Sequence, residues 1–144
     1  MDLFDLKKVI NESCNRANVK TIIENGNNHE ILYSISKKYL RGKICHLLWE
    51  LVPDDSIFIV KDDPPKNLGL LLGDKKCILF FDLSYPDYIC KFNTGFDVEK
   101  FIDDLYAFDV YITDESLSFF IMIYERKFIS VTGIPDENIN FYRS

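Results

Sequence analysis

A chain of 144 residues, 47% hydrophobic and 28% charged, carries enough apolar content for one proper core but not two, so a single domain is expected. Its 23 acids outweigh 17 bases to leave a formal net charge of −6, and twelve Phe with eight Tyr exclude a disordered or low-complexity segment. No run reaches the roughly eighteen apolar residues of a membrane-spanning helix, and Met1 to Lys8 has acids where a secretory signal needs bases; a cytoplasmic protein without a membrane partner is expected.

In chain order, Leu3, Leu6, Ile10 and Ala17 form one helical stripe that Asp2 is placed to cap. Gly26 ends the segment from Val19 to Asn25, and Asn28 is placed to cap a second helix with Ile31, Leu32, Ile35 and Tyr39 on one face and Gly42 as its stop. The texture then changes to short apolar runs that read as strands: Ile44 to Val52, Ile57 to Val60, Cys77 to Leu83 and Tyr88 to Phe92. Their separators, such as Asp62-Asp63-Pro64-Pro65 and Tyr85-Pro86-Asp87, fix turn dihedrals, while Leu68 to Leu72 fits a helical turn or a strand equally well. The spacing of Val98, Phe101, Ile102 and Leu105 predicts a helix over 97–108, with Asp97 as its cap and Phe96 stapled onto Phe101. Val110 to Thr113, Leu117 to Tyr124 and Lys127 to Thr132 follow as an antiparallel meander, and 134–144 is expected to be a tail.

This order implies an α+β domain over 1–144: a helical part over 1–42, then a mostly antiparallel sheet over 44–133 with the helix 97–108 packed on it. Catalytic signatures are missing from it. There is no G-x-S-x-G, no G-x-x-x-x-G-K-[ST], no H-E-x-x-H and no G-x-G-x-x-G, so no catalytic residue and no cofactor is assigned. Cys14, Cys45, Cys77 and Cys90 lie far apart without a C-x-x-C pair, and with only His29 and His46 beside them they suggest buried thiols and no metal site. The carboxylate pairs Asp54-Asp55 and Asp62-Asp63 leave open a small metal-assisted hydrolase, although adjacent acids diverge on regular structure and commonly cap turns.

Charge is the main functional clue. Residues 1–48 hold eight bases and five acids, whereas 49–144 hold eighteen acids and nine bases. The segment from Asp97 to Glu115 concentrates the excess, with seven acids against Lys100 alone. Lys37, Lys38, Arg41 and Lys43 cluster at a helix end, where they complement its dipole; with the chain acidic as a whole, no nucleic-acid partner is expected. A dense patch of one sign attracts a basic protein and speeds the encounter, so a binding module is favoured over an enzyme. Glu99, Asp103, Asp104, Asp109, Asp114 and Glu115 are the candidate electrostatic contacts, and Tyr106 and Tyr111 the candidate aromatic anchors, each having a core or sheet-face role as its alternative.

Trp49-Glu50 in a mid-chain apolar run, followed by an acidic Pro-containing turn and an Ile-Phe-Ile-Val strand, resembles small bacterial immunity proteins of the contact-dependent inhibition type. Asp109-Val110-Tyr111-Ile112-Thr113-Asp114, an aromatic-rich strand and Ile129-Ser130-Val131-Thr132-Gly133 extend the resemblance over about residues 45 to 133. The chain differs in carrying Phe119 and Phe120 where that pattern often has Trp, and Glu125-Arg126 where it has an acid-His pair. The resemblance implies a cytoplasmic immunity protein that neutralises a cognate, basic toxin domain, a nuclease being one such toxin, with the oligomeric state left open. The competing reading is a regulatory or adaptor domain for an endogenous protein.

Overall fold

The computed structural model describes residues 5–25, 29–42, 53, 55–60, 66–81, 88–105, 108–124 and 128–143. The expected strand over 44–52, the Trp49-Glu50 pair, Asp2, Asn28, the Asp62 to Pro65 turn and Tyr106 lie outside these residues.

Helix α1 (Leu6–Ala17) starts at Asp5, whose carboxylate accepts the Lys8 N–H at 3.2 Å, and buries Leu6, Ile10 and Cys14 at successive i+4 positions. Asn18 ends it in the left-handed region at φ 57°, where its N–H reaches the Asn15 carbonyl and Val19 reaches Cys14. The short strand β1 (Ile22–Asn25) follows, then α2 (His29–Tyr39), which stops as expected at Gly42: φ is 76° there, and the Gly42 N–H returns to the Ser36 carbonyl at 2.9 Å. Strand β2 (Ile57–Val60) is as read from the sequence, and Leu68–Leu72 resolves as a helix, α3. Strands β3 (Cys77–Phe81) and β4 (Tyr88–Phe92) come next.

Helix α4 spans Gly95–Asp104, so its expected start and end are both corrected. Thr94, and not Asp97, is the cap: its hydroxyl accepts the Asp97 N–H at 3.2 Å, which leaves Asp97 an acid in the first turn. Glycine at 95 permits this early start, because a Cβ there would collide with the Leu72 Cβ and the Gly73 carbonyl. Phe96 therefore sits inside the helix, 44% exposed, with its ring over Gly69. Strands β5 (Val110–Thr113), β6 (Phe120–Tyr124) and β7 (Phe128–Thr132) form the expected meander. Residues 136–143 are not a tail. They form α5 (Asp136–Arg143), whose Ile139 and Tyr142 enter the core. Two buried positions one turn apart in a polar stretch are too weak a periodic signal to announce a helix; packing against α3 supplies what local propensity lacks.

The seven strands form one antiparallel sheet in the order β1-β4-β3-β5-β6-β7-β2, so the fold is α+β as expected. Residues alternate between two cores. Leu79, Cys90, Ile112, Ile121 and Ile129 face a large cluster that includes the apolar sides of α1, α3, α4 and α5. Phe80, Tyr111, Phe120 and Met122 face the opposite side, where α2 covers them with Leu32 and Ile35, joined by Leu40 just after the helix. Burial on both faces makes β3 and β5 apolar or fully buried at every position.

Candidate functional site

Strand β5 separates the candidate acids. Asp109 and Asp114 flank it, and five residues of extended chain place them about 17 Å apart at opposite ends of the sheet. Helix α4 leaves β4 at the Phe92 end, opposite Cys77, and returns to the end where β5 begins beside Phe81. Asp103 and Asp104 therefore share an end with Asp109, while Asp114 and Glu115 belong to the other.

Several of these acids are engaged within the fold. Asp104 receives the Arg16 guanidinium edge, Nε at 3.1 Å from both oxygens and Nη2 at 2.8 Å from one. That pairing holds the Asp104 carboxyl below its usual range and raises the guanidinium; with Arg16 58% exposed it is a surface contact that positions α1 on α4. Glu99 turns toward α3, where Oε1 accepts the Gly69 N–H at 2.8 Å. Asp114 organises the β5–β6 turn, accepting the Ser118 N–H at 2.8 Å, the Ser116 hydroxyl at 3.1 Å and the Ser118 hydroxyl. Partial burial pushes its carboxyl up, but the Ser118 and Ser116 hydrogen bonds and nearby Lys75 outweigh this and leave it lowered. Glu115 lies 3.7 Å from Lys91, which also pairs with Glu24 at 2.9 Å.

Tyr111 is corrected as an exposed anchor. It is 0% exposed, on the α2 side of the sheet, with Phe80 at 5.4 Å and Phe120 at 6.3 Å between ring centroids. Sequence reading missed a different aromatic. Phe96 occupies the position i to Lys100 at i+4 and Asp103 at i+7, so it shares the exposed stripe of α4 with them, while Glu99 at i+3 is half-buried and held against Gly69 of α3. Leu70 on α3, 48% exposed, stands on the neighbouring helix. The signal was hidden because Phe96 read as the residue before a cap; an earlier start at Thr94 turns it into a helical residue facing out.

The three described thiols offer little nucleophilicity: burial pushes Cys14 up to about 11, and Cys77 and Cys90 up to about 12, while Cys45 lies outside the described residues. Among the described residues no group of three or more His, Cys, Asp or Glu side chains is placed to hold a metal ion, and no helix is long and apolar enough to cross a membrane. Of the acidic pairs in the hydrolase reading, Asp55 alone is described, and it is exposed. No family model, no curated protein and no solved structure matches the chain.

Proposed function

We propose that this chain is an immunity protein that binds and neutralises a cognate toxin domain through the outward stripe of α4. One observation carries the reading: an exposed aromatic, Phe96, lies on the same helical stripe as exposed Asp103, with half-buried Glu99, Asp104 and Asp97 beside them. Lys100 and Arg16 only partly offset the four acids, so the surface stays acidic. An acidic rim around an apolar anchor is the anatomy of a surface that captures a basic protein quickly and holds it. Asp103, exposed near the end of the stripe, steers the encounter; Phe96 slows departure. Asp114 and Glu115 serve the β5–β6 turn and the sheet edge, outside this interface.

The test is co-expression with the polypeptide encoded immediately upstream, scored by growth rescue and by association kinetics at low and high salt. Asp103→Lys is expected to slow association about tenfold at low salt with little change in dissociation, and Phe96→Ala to speed dissociation with little change in association. Rescue with both variants behaving as the parent would retain immunity but remove α4 as its surface. Absence of any complex would sink the immunity reading in favour of an adaptor for an endogenous protein.

A further inference from the structure

Strand β1 is an edge: among the described residues it pairs with β4 alone. Its outward row is unusual for an edge. Ile23 packs toward the large core, so alternation sends Ile22 and Glu24 to the other face, and Lys20, two residues before the strand, is exposed and keeps the same every-second-residue spacing. Ile22 is 65% exposed, the Glu24 side chain 49%, and Lys20 is exposed as well. The β3–β5–β6 centre of that face is covered by α2, but this margin is left to solvent.

The row reads Lys, Ile, Glu at every second residue, which is self-complementary on antiparallel pairing. Two copies related by a two-fold axis through Ile22 bring Ile22 against Ile22, and Lys20 of each copy against Glu24 of the other. A shift of the axis to Ile23 would instead set Ile22 against Glu24. The charge pattern therefore selects one register as well as one partner. Natural sheets commonly place charges on edge strands to repel further strands; here the two signs attract when the added strand is a second copy of this chain. Lys91 engages Oε1 of Glu24 at 2.9 Å, so the second carboxylate oxygen is the acceptor for Lys20 across the axis.

We propose that β1 mediates a reversible homodimer in which two seven-stranded sheets join edge to edge through antiparallel β1 strands. The contact is isologous and closes on itself, giving a dimer and no fibre. So short a paired strand lies at the small end of protein interfaces, and the dimer forms and dissociates with concentration.

Sedimentation equilibrium on the full chain up to about 1 mM tests this, using Lys20→Glu, Glu24→Lys and an equimolar mixture of the two variants. Each substitution alone places like charges at both ends of the two-fold contact, and is expected to weaken self-association roughly tenfold or more. In the mixture Glu at 20 meets Lys at 24, and Glu24 meets Lys20, so the dimer returns as a heterodimer of one copy of each variant. That rescue separates a pairing contact from damage to the fold, since two misfolded chains would not restore each other. A parent chain that stays monomeric up to that concentration, a variant that dimerises alone like the parent, or a mixture no tighter than its components would each overturn the proposal.

Discussion

Asp114 shows how a residue that looks like surface charge can be structural. Its carboxylate gathers the Ser118 N–H and the hydroxyls of Ser116 and Ser118, and so holds a turn in which Leu117 sits at φ 55°, a region costly for a branched residue. Asp114→Ala removes all three acceptor contacts and is expected to cost about 1 to 2 kcal/mol in urea unfolding, whereas Asp103→Ala, on an exposed helix face, should change stability by no more than about 0.5 kcal/mol. Equal effects of the two would show that the Asp114 turn contributes nothing. The acidic run from Asp97 to Glu115 was legible as a run, but its division was not. Asp104 meets Arg16 from 88 residues away, and Glu99 meets the backbone of Gly69, so their roles depend on which distant elements the core brings beside them.

At the scale of elements, the α3–α4 contact is the tightest joint near the proposed surface. The Gly95 N–H bonds the Gly73 carbonyl at 2.9 Å, and the missing side chain at 95 leaves room for Leu72. Two effects of Gly95→Ala compete. Alanine favours a helix over glycine by about 1 kcal/mol, but at the first turn the gain is smaller, and overpacking against backbone and a buried Leu72 costs about 1 to 3 kcal/mol. Net destabilisation is expected, seen as a lower urea midpoint; a rise would show that the joint yields easily. Helices α1 and α2 were readable because their apolar spacing matched a single buried face, and the β5–β7 meander because its strands, buried on both faces, are short apolar runs bounded by turn residues. The α4 start was misread because Asp97 and Thr94 are both good caps, and the choice between them was made by the fit of Gly95 against α3. Helix α5 was missed because two core contacts, Ile139 and Tyr142, do more for it than its polar sequence does.

For the whole molecule, three buried thiols tie stability to pH on the alkaline side. Burial raises Cys14 to about 11 and Cys77 and Cys90 to about 12 from an ordinary 9.0, so the folded chain keeps protons that the unfolded chain releases. Their contribution is fully present below the unfolded value and is lost as pH rises toward the folded ones. The urea midpoint is therefore expected to fall between about pH 8 and 9.5, before tyrosine and lysine titrate, and to fall less in Cys90→Ala. A midpoint that stays level over that window would contradict the burial of these thiols. The amino-acid order by itself determined the α+β class, the antiparallel meander and an acidic second half, because periodicity and composition act locally or add up along the chain. Only the tertiary structure decided which acids remain on the surface of α4, that Tyr111 is buried while Phe96 faces out, and that β1 is an edge strand among the described residues, with Ile22 and Glu24 exposed after an exposed Lys20. Those outcomes depend on antiparallel pairing and helix docking between segments far apart in sequence, such as Ile22 with Lys91 and Ile57 with Val131, and a local pattern carries no record of its distant partner.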